Sequence, residues 1–390
     1  MPILDIARSV FRCRTLGEWY ASWYKALRLF ENPQVGRAAN AGIFDYNKRT
    51  LGYVWTRWVA EFCRQMITTV ATLLLHSPAI GKPMKAIRID QYGDESVLQV
   101  VAVPRPRPAR NQLLVNVYAA GVNPLDWKIR DGAGARFGMN LPVLLGSEIS
   151  GVVVEVGEEV TGMNVGDAVY GLVKAGGYAE YVLVNADEVA LKPASIDFLQ
   201  AAAIPLAGLT AWQAMFDLGK LRAGQTMLIT AAAGGVGSLA VQLAKAKGAV
   251  VIGMASGKNE SFVRDLGADE FVDYTRQPFD EVVTGMDLVF DTVGGETFER
   301  AVACVKKGGT IVTSVAFPTS QHVADGIHAL RVSCQPNRYE LDQISQLVIA
   351  GQLRAHVAQV FPLAQVGDAH RLSKQGRTSG KIVLQIDTNH

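Results

Sequence analysis

The chain has 390 residues, roughly two to three domains' worth, and 49% of them are hydrophobic, ample for buried cores. A formal net charge of +2 argues against the broad positive field of a nucleic-acid binder, so no nucleic-acid partner is expected. The cysteines Cys13, Cys63, Cys304 and Cys334 form no C-x-x-C pair, which offers neither a zinc knuckle nor a disulfide framework and fits a reducing compartment.

The first 83 residues differ from the rest. They carry 11 Lys/Arg against 5 Asp/Glu, about +6, which leaves −4 for the remainder, and they hold Trp19, Trp23, Trp55 and Trp58 of the chain's 6 tryptophans. Around Gly52–Leu75 an apolar, aromatic face alternates with Arg57, Glu61 and Arg64, which predicts one amphipathic helix. The uncharged run Met66–Leu75 is about ten residues long against the roughly twenty that cross a bilayer, so no membrane span is expected. Three readings of this helical extension stay open: an organelle-targeting segment, Arg-rich but Ser-poor and long; a small helical appendage with its own docking face; or upstream sequence included by a misplaced start codon. The expected location is the cytoplasm, with organelle targeting by residues 1–83 as the alternative.

The stretch His76–Pro83 reads as a linker. At Met84 the sequence MKAIRID has the alternation of an edge strand. From there to about Pro205 short apolar runs (LLVNVYAAGV, SGVVVEVG, AVYGLV, YAEYVLV) are separated by glycine turns, as in a compact β-barrel-like domain. From about Leu206 to Pro336 strands alternate with amphipathic segments. Six strands are predicted at Met227–Thr230, Val250–Met254, Glu270–Val272, Asp287–Asp291, Thr310–Val315 and Leu330–Ser333, implying a parallel doubly wound sheet. A helix over Leu341–Ala350 and a strand over Lys381–Ile386 then return the chain to the first domain, giving limits of 84–205 with 337–390, and 206–336.

Chemistry enters at Ala231–Gly237, where AAAGGVG lies between a predicted strand and a predicted helix. Ala233, Gly234, Gly235 and Val236 make the turn. Gly234 and Gly235 let the backbone approach a pyrophosphate, Gly237 lets the helix start close to the sheet, and the unpaired N–H groups of its first turn face the phosphates. A glycine cluster alone is also compatible with a tight turn; the strand before, the helix after and a second strand about twenty residues on favour a dinucleotide. At the end of that second strand an NAD site wants Asp or Glu for the ribose 2′-hydroxyl, and this chain has Ala255 followed by Ser256 and Lys258. A small residue, a hydroxyl and a cation suit a 2′-phosphate, so the expected cofactor is NADPH; a solvated loop lysine is the plainer alternative.

Several separated motifs together resemble the medium-chain dehydrogenase/reductase superfamily, in its zinc-free quinone oxidoreductase branch. They are GVNPLDWKIRDG (Gly121–Gly132), GSEISGVVVEVGEEV (Gly146–Val160), GDAVYG (Gly166–Gly171), GGYAEY (Gly176–Tyr181), PLAGLTAW (Pro205–Trp212), DTVGG (Asp291–Gly295) and GKIVLQI (Gly380–Ile386). The resemblance implies an α/β protein with a GroES-like catalytic domain, a Rossmann domain and an active site in the cleft between them, and a homodimer that pairs Rossmann sheets edge to edge. It further implies that Thr210 approaches the nicotinamide, that Val293 and Ala316–Phe317 cover its far side, and that Tyr274 and Lys381 help Ser256 and Lys258 with the adenosine phosphate. Thr210 as a helix cap and Lys381 as a solvated strand residue are the alternatives.

Zinc-dependent relatives bind catalytic zinc through Cys, His and Cys; the matching positions here are Asn123, Ser147 and Leu206, with Glu148 kept, and no metal is expected. Without Glu148's metal partners, its expected role is structural. Zinc supplies several kcal/mol on a developing alkoxide, so the acceptors expected without it are those ending in a delocalised oxyanion: quinones first, then activated C=C bonds of enals and enones. Asn123 is the expected donor to the carbonyl or the nicotinamide ribose, and Lys128 the expected stabiliser of an enolate or hydroquinone anion, with a solvent-facing charge as its alternative. Asp126 and Trp127 are expected to shape the pocket, Trp127 stacking on a flat substrate, and Arg136, Phe137 and Met139 to wall it. No protonating acid is identified. A reading of another class, a low-turnover NADPH-binding sensor or docking module, is separated from these by an acceptor panel.

Overall fold

The computed structural model describes residues 83–136, 138–320 and 326–386. The predicted helix at Gly52–Leu75, the tryptophan-rich extension and Phe137 lie outside the described residues.

Six strands form one wholly parallel sheet, in the spatial order Glu270–Asp273, Val250–Ala255, Thr226–Ile229, Met286–Asp291, Val305–Thr313 and His328–Arg331. These are the six predicted strands with small shifts of limits. The fifth stops at Thr313 because that side chain accepts the backbone N–H groups of Val315 and Ala316 and turns the chain. Sequence order runs outward from Thr226–Ile229 to one edge, then crosses to Met286–Asp291 and runs to the other. The reversal between these two central strands is where such sheets bind dinucleotides, at the carboxyl ends of the strands. The helix Gly235–Ala246 crosses between the first two strands and buries Leu239, Ala240, Val241, Leu243 and Ala244 in the core.

A second sheet of seven strands runs Val357–Pro362, Lys381–Gln385, Gln112–Val122, Glu148–Val156, Ala168–Leu172 and Val189–Leu191, with Tyr181–Asn185 paired to Gln112–Val122. Its pairs are antiparallel except the first, and the chain does return after the helix Arg338–Ile349 to place Lys381–Gln385 beside Gln112–Val122. One expectation is corrected. Met84–Ile89 is the middle strand of a three-stranded antiparallel sheet, between Gln99–Val103 and Val143–Leu144, and not an edge. Its alternation reflects one face on the core, where Ile87 and Ile89 are fully buried. Among the described residues no helix is long and apolar enough to cross a membrane.

Candidate active site

The phosphate turn sits where the sheet order reverses. Gly234 precedes the helix Gly235–Ala246 with no side chain capping it, so the N–H groups of its first turn are left for an anion. A Cβ on Gly237 would lie 2.3 Å from the Ala231 carbonyl oxygen, so this glycine does bring helix to strand. Gly235 has a different reason than expected: a Cβ there would lie 2.8 Å from Cδ of Lys381, whose stem runs along the turn. The C-terminal strand is fastened to the same place, with the Gly380 N–H on the Ala233 carbonyl at 2.8 Å and a bridge between Gly234 and Gly380. Both phosphate approach and helix dipole therefore fit a dinucleotide here.

At the adenosine end Ser256 precedes a short turn, and its hydroxyl accepts from the Asn259 amide at 3.0 Å. Asn259 in turn accepts from the Ser379 hydroxyl at 2.9 Å, so the loop before Gly380 also reaches this end; sequence reading missed both residues. Lys258 is exposed and Tyr274 is 54% exposed, placed as groups at a cofactor's rim would be. One acid is nearby: the Asp273 carboxylate packs against Gly257, pairs with Arg276 at 3.2 Å, and is held below the usual carboxylate range first by the Thr275 hydroxyl.

The loops above the central strands converge on Asp291, which is fully buried. Its carboxylate accepts from the Thr230 and Thr313 hydroxyls at 3.1 and 2.7 Å and from the backbone of Val293 and Gly294. Three loops are thereby tied together, a role no local pattern around DTVGG announces. Val293 and Phe317 are left 45% and 75% exposed, with the Arg331 guanidinium 4.3 Å over the Phe317 ring, and Ala316 is half-buried between them in sequence. Thr210 lies inside the helix Pro205–Trp212 and donates its hydroxyl hydrogen to the Leu206 carbonyl at 2.6 Å, so it is neither a cap nor a free donor.

The strand Gln112–Val122 delivers Asn123 to the start of the helix Pro124–Lys128. Asn123 is 5% exposed; its amide donates to Glu148 Oε1 at 2.8 Å and accepts from Lys381 Nζ at 2.5 Å. Glu148, fully buried, also accepts the Leu206 backbone N–H at 2.7 Å and pairs with Lys381. Two expectations change here. Glu148 is not isolated without a metal, and Lys381, 5% exposed, has its ammonium spent on Asn123 and Glu148 and not on an adenosine phosphate.

Asp126 is corrected too. It is fully buried and walls no pocket; it accepts the Asn123 backbone N–H at 2.8 Å and the Tyr178 hydroxyl at 2.7 Å. Burial pushes its carboxyl up to about 6, against the lowering effect of those donors. Trp127 carries the Lys128 and Lys374 ammonium groups at 5.4 and 5.5 Å from its ring centroid, so a flat acceptor stacking on it would compete with both. Lys128 itself is exposed, the plainer of its two readings.

Asn, Ser and Leu side chains at the three zinc-ligand positions supply no thiolate or imidazole, and among the described residues no cluster of three or more His, Cys, Asp or Glu is placed to hold a metal. Residues 109–194 match the family described as alcohol dehydrogenase GroES-like domain, and residues 266–384 the one described as zinc-binding dehydrogenase. The chain is 35% identical over 355 residues to the NAD(P)H oxidoreductase RTN4IP1, mitochondrial, of Danio rerio, covering 78% of this chain and 91% of that protein. It is 34% identical to the NADPH-dependent alkenal/one oxidoreductase, chloroplastic, of Arabidopsis thaliana, with 78% and 80% covered. The solved quinone oxidoreductase from Coxiella burnetii superposes with a TM-score of 0.74 at 37% identity, covering 78% of this chain and all of that one. A parallel sheet carrying a phosphate turn, a GroES-like domain, an Asn where zinc enzymes have a ligand, and these relatives lead to one conclusion: the chain is a nicotinamide-dependent oxidoreductase of the medium-chain dehydrogenase/reductase superfamily, in its zinc-free quinone oxidoreductase branch.

Proposed function

We propose that this chain transfers hydride from NADPH to quinones without a metal. The observation that carries the reading is the amide beside the phosphate turn: Asn123 stands at a zinc-ligand position and is held there by Glu148 and Lys381. Ala233, Gly234, Gly235 and Val236 would hold the pyrophosphate, Ser256, Lys258 and Tyr274 the adenosine phosphate, and Val293, Ala316, Phe317 and Thr210 the nicotinamide surroundings. Bound NADPH supplies the hydride. The protein's part is positioning and modest electrostatics: Asn123 donates toward the acceptor oxygen, and solvent returns the proton. A small-molecule acceptor whose negative charge is delocalised needs no more than this.

Reduction of activated C=C bonds is the second reading, favoured by the likeness to the alkenal/one oxidoreductase. NADPH oxidation measured with quinones, enals and simple ketones separates the two. Rapid turnover of a simple ketone by metal-free protein would overturn the donor argument, and no turnover with any acceptor would leave a binding module.

The 2′-phosphate assignment has its own test. Lys258→Ala is expected to weaken NADPH by about 10- to 100-fold, the worth of one charge-assisted contact, and NADH by less than about threefold. The Asp273 carboxylate beside Gly257 favours the competing use of NADH, and equal losses for both cofactors would decide for it. We also propose a homodimer through His328–Arg331, the open edge of the parallel sheet. Sedimentation at micromolar protein should give twice the chain mass; a monomer there would remove the assignment.

A further inference from the structure

Glu148 and Lys381 lie 233 residues apart in sequence and form an almost completely buried ion pair. Taking two charges out of water costs about as much as their attraction returns, and well-packed apolar residues are often at least as stable, so stability does not account for the pair. What the pair does locally is visible in the Asn123 amide. Lys381 is a donor only and the Glu148 carboxylate an acceptor only. The amide therefore satisfies both in a single orientation, with Oδ1 on Lys381 at 2.5 Å and Nδ2 on Glu148 at 2.8 Å. A flip would set NH₂ against ammonium and carbonyl against carboxylate. One of the two Nδ2 hydrogens then has no protein acceptor among the described residues.

The surroundings are cut to fit the pair. A Cβ on Gly121 would lie 2.1 Å from Glu148 Oε1, and one on Gly235 would lie 2.8 Å from Lys381 Cδ. The Leu206 backbone N–H holds Glu148 Oε2 at 2.7 Å, so the carboxylate has no room to swing away. Beneath, Asp126 fixes the Asn123 backbone N–H at 2.8 Å. Main chain and side chain of Asn123 are thus held from three independent elements.

We propose that Glu148 and Lys381 are positioning residues that lock the Asn123 amide with one N–H left for the acceptor's carbonyl oxygen. The catalytic part of this rests on the hydride-transfer reading above, whereas the lock itself does not. In place of a metal, a buried ion pair organises the donor.

The test uses the full chain labelled with ¹⁵N-asparagine, the Asn123 side-chain amide being identified by its disappearance in Asn123→Ala. Lys381→Met, and Lys381→Met/Glu148→Gln in case the lone buried carboxylate unfolds the single variant, are expected to speed solvent exchange of that amide about 10- to 100-fold. In turnover, kcat is expected to fall by a similar factor while KM for NADPH stays within about threefold, and adding Lys381→Met to Asn123→Ala should cost nothing further. Unchanged amide exchange would overturn the lock. A rise in KM for NADPH at constant kcat, or additive losses in the double variant, would assign Lys381 to phosphate binding and overturn the positioning role. If the unmodified chain turns over no acceptor, the hydride-transfer reading falls by itself and amide exchange still decides the lock.

Discussion

Gly121→Ala is expected to lower thermal stability by on the order of 10 °C and to abolish turnover. The added Cβ would meet Glu148 Oε1 at 2.1 Å and the Ala202 carbonyl oxygen at 2.5 Å, one a buried charge held by three groups and the other main chain. Overpacking in a dense core costs about 1–3 kcal/mol, and displacing one member of a buried ion pair about 3–5 kcal/mol. Gly121 sits opposite Val383, in a strand whose other side pairs with Glu148–Val156 up to Ala120 opposite Ile149, so the backbone has little freedom to absorb the clash. A thermal melt and an NADPH-oxidation assay on the same preparation check this. A variant with unchanged melting temperature would mean that Glu148 is free to move, and with it the lock on Asn123.

The second large effect is a pair of opposed pH dependences that mask each other. His370 is on a helix packed against Pro124–Lys128, with Nδ1 3.2 Å from Nη1 of the fully buried Arg130, which pairs with Glu95 and Asp131 at 3.0 and 2.6 Å. Arginine only donates, so Nδ1 accepts and the ring is neutral; Nε2 has no hydrogen-bond partner among the described residues. Burial, then the Arg130 charge, lowers the imidazole from 6.5 to about 4. A lowered folded value means that the unfolded chain takes up the proton first, so stability present above pH 6.5 is lost as pH falls towards 4. Asp126 acts in the reverse sense. Its carboxyl is raised from 3.8 to about 6, so the folded chain keeps the proton longer, and stability present below pH 4 is lost as pH rises through 6.

At roughly 1.4 kcal/mol per unit, each shift corresponds to about 3 kcal/mol. The two largely cancel between pH 4 and 6, where the unmodified chain is expected to show little net dependence from this pair. Asp126→Asn removes one side and should expose a loss of about 3 kcal/mol from pH 6.5 to 4 relative to the unmodified chain. Asparagine keeps an acceptor for the Asn123 N–H and Tyr178, so the comparison is not dominated by a broken cap. His370→Asn should show the opposite trend, gaining stability on acidification over the same range. Urea titrations at pH 4.5, 5.5 and 6.5 read these differences directly. The carboxyls held low, including Asp131, Asp280 and Asp287, act below that window and are common to all variants. Parallel curves for the three proteins would show that neither group titrates in the folded chain as described.

Much of the fold was readable because the signals are local. The six parallel strands announce themselves as short apolar runs spaced by amphipathic segments, and the phosphate turn by glycines between a strand and a helix. The proposed 2′-phosphate site rests on the same kind of local signal: Ala255, Ser256 and Lys258 lie within four residues of one another, on a turn whose position follows from the strand before it. Met84–Ile89 misled because alternation records which face is buried and says nothing of how many neighbours a strand has. Asp126 misled because adjacent residues on one short helix face different surroundings: Trp127 lies by Lys128 and Lys374, whereas Asp126 is buried in the core against Tyr178.

By itself, then, the sequence determined the class of cofactor, the strands of the parallel sheet and the absence of zinc ligands at the three matching positions, since each depends on residue types at short spacing. Only the tertiary structure decided what stands in the metal's place. Lys381 meets Asn123 across 258 residues and Glu148 across 233, and a strand position carries no mark of which distant loop its side chain will reach. Burial completed the decision: once water is excluded, a lysine, a glutamate and an amide can satisfy one another in only one arrangement, and that arrangement exists only when the C-terminal strand is laid beside Gln112–Val122.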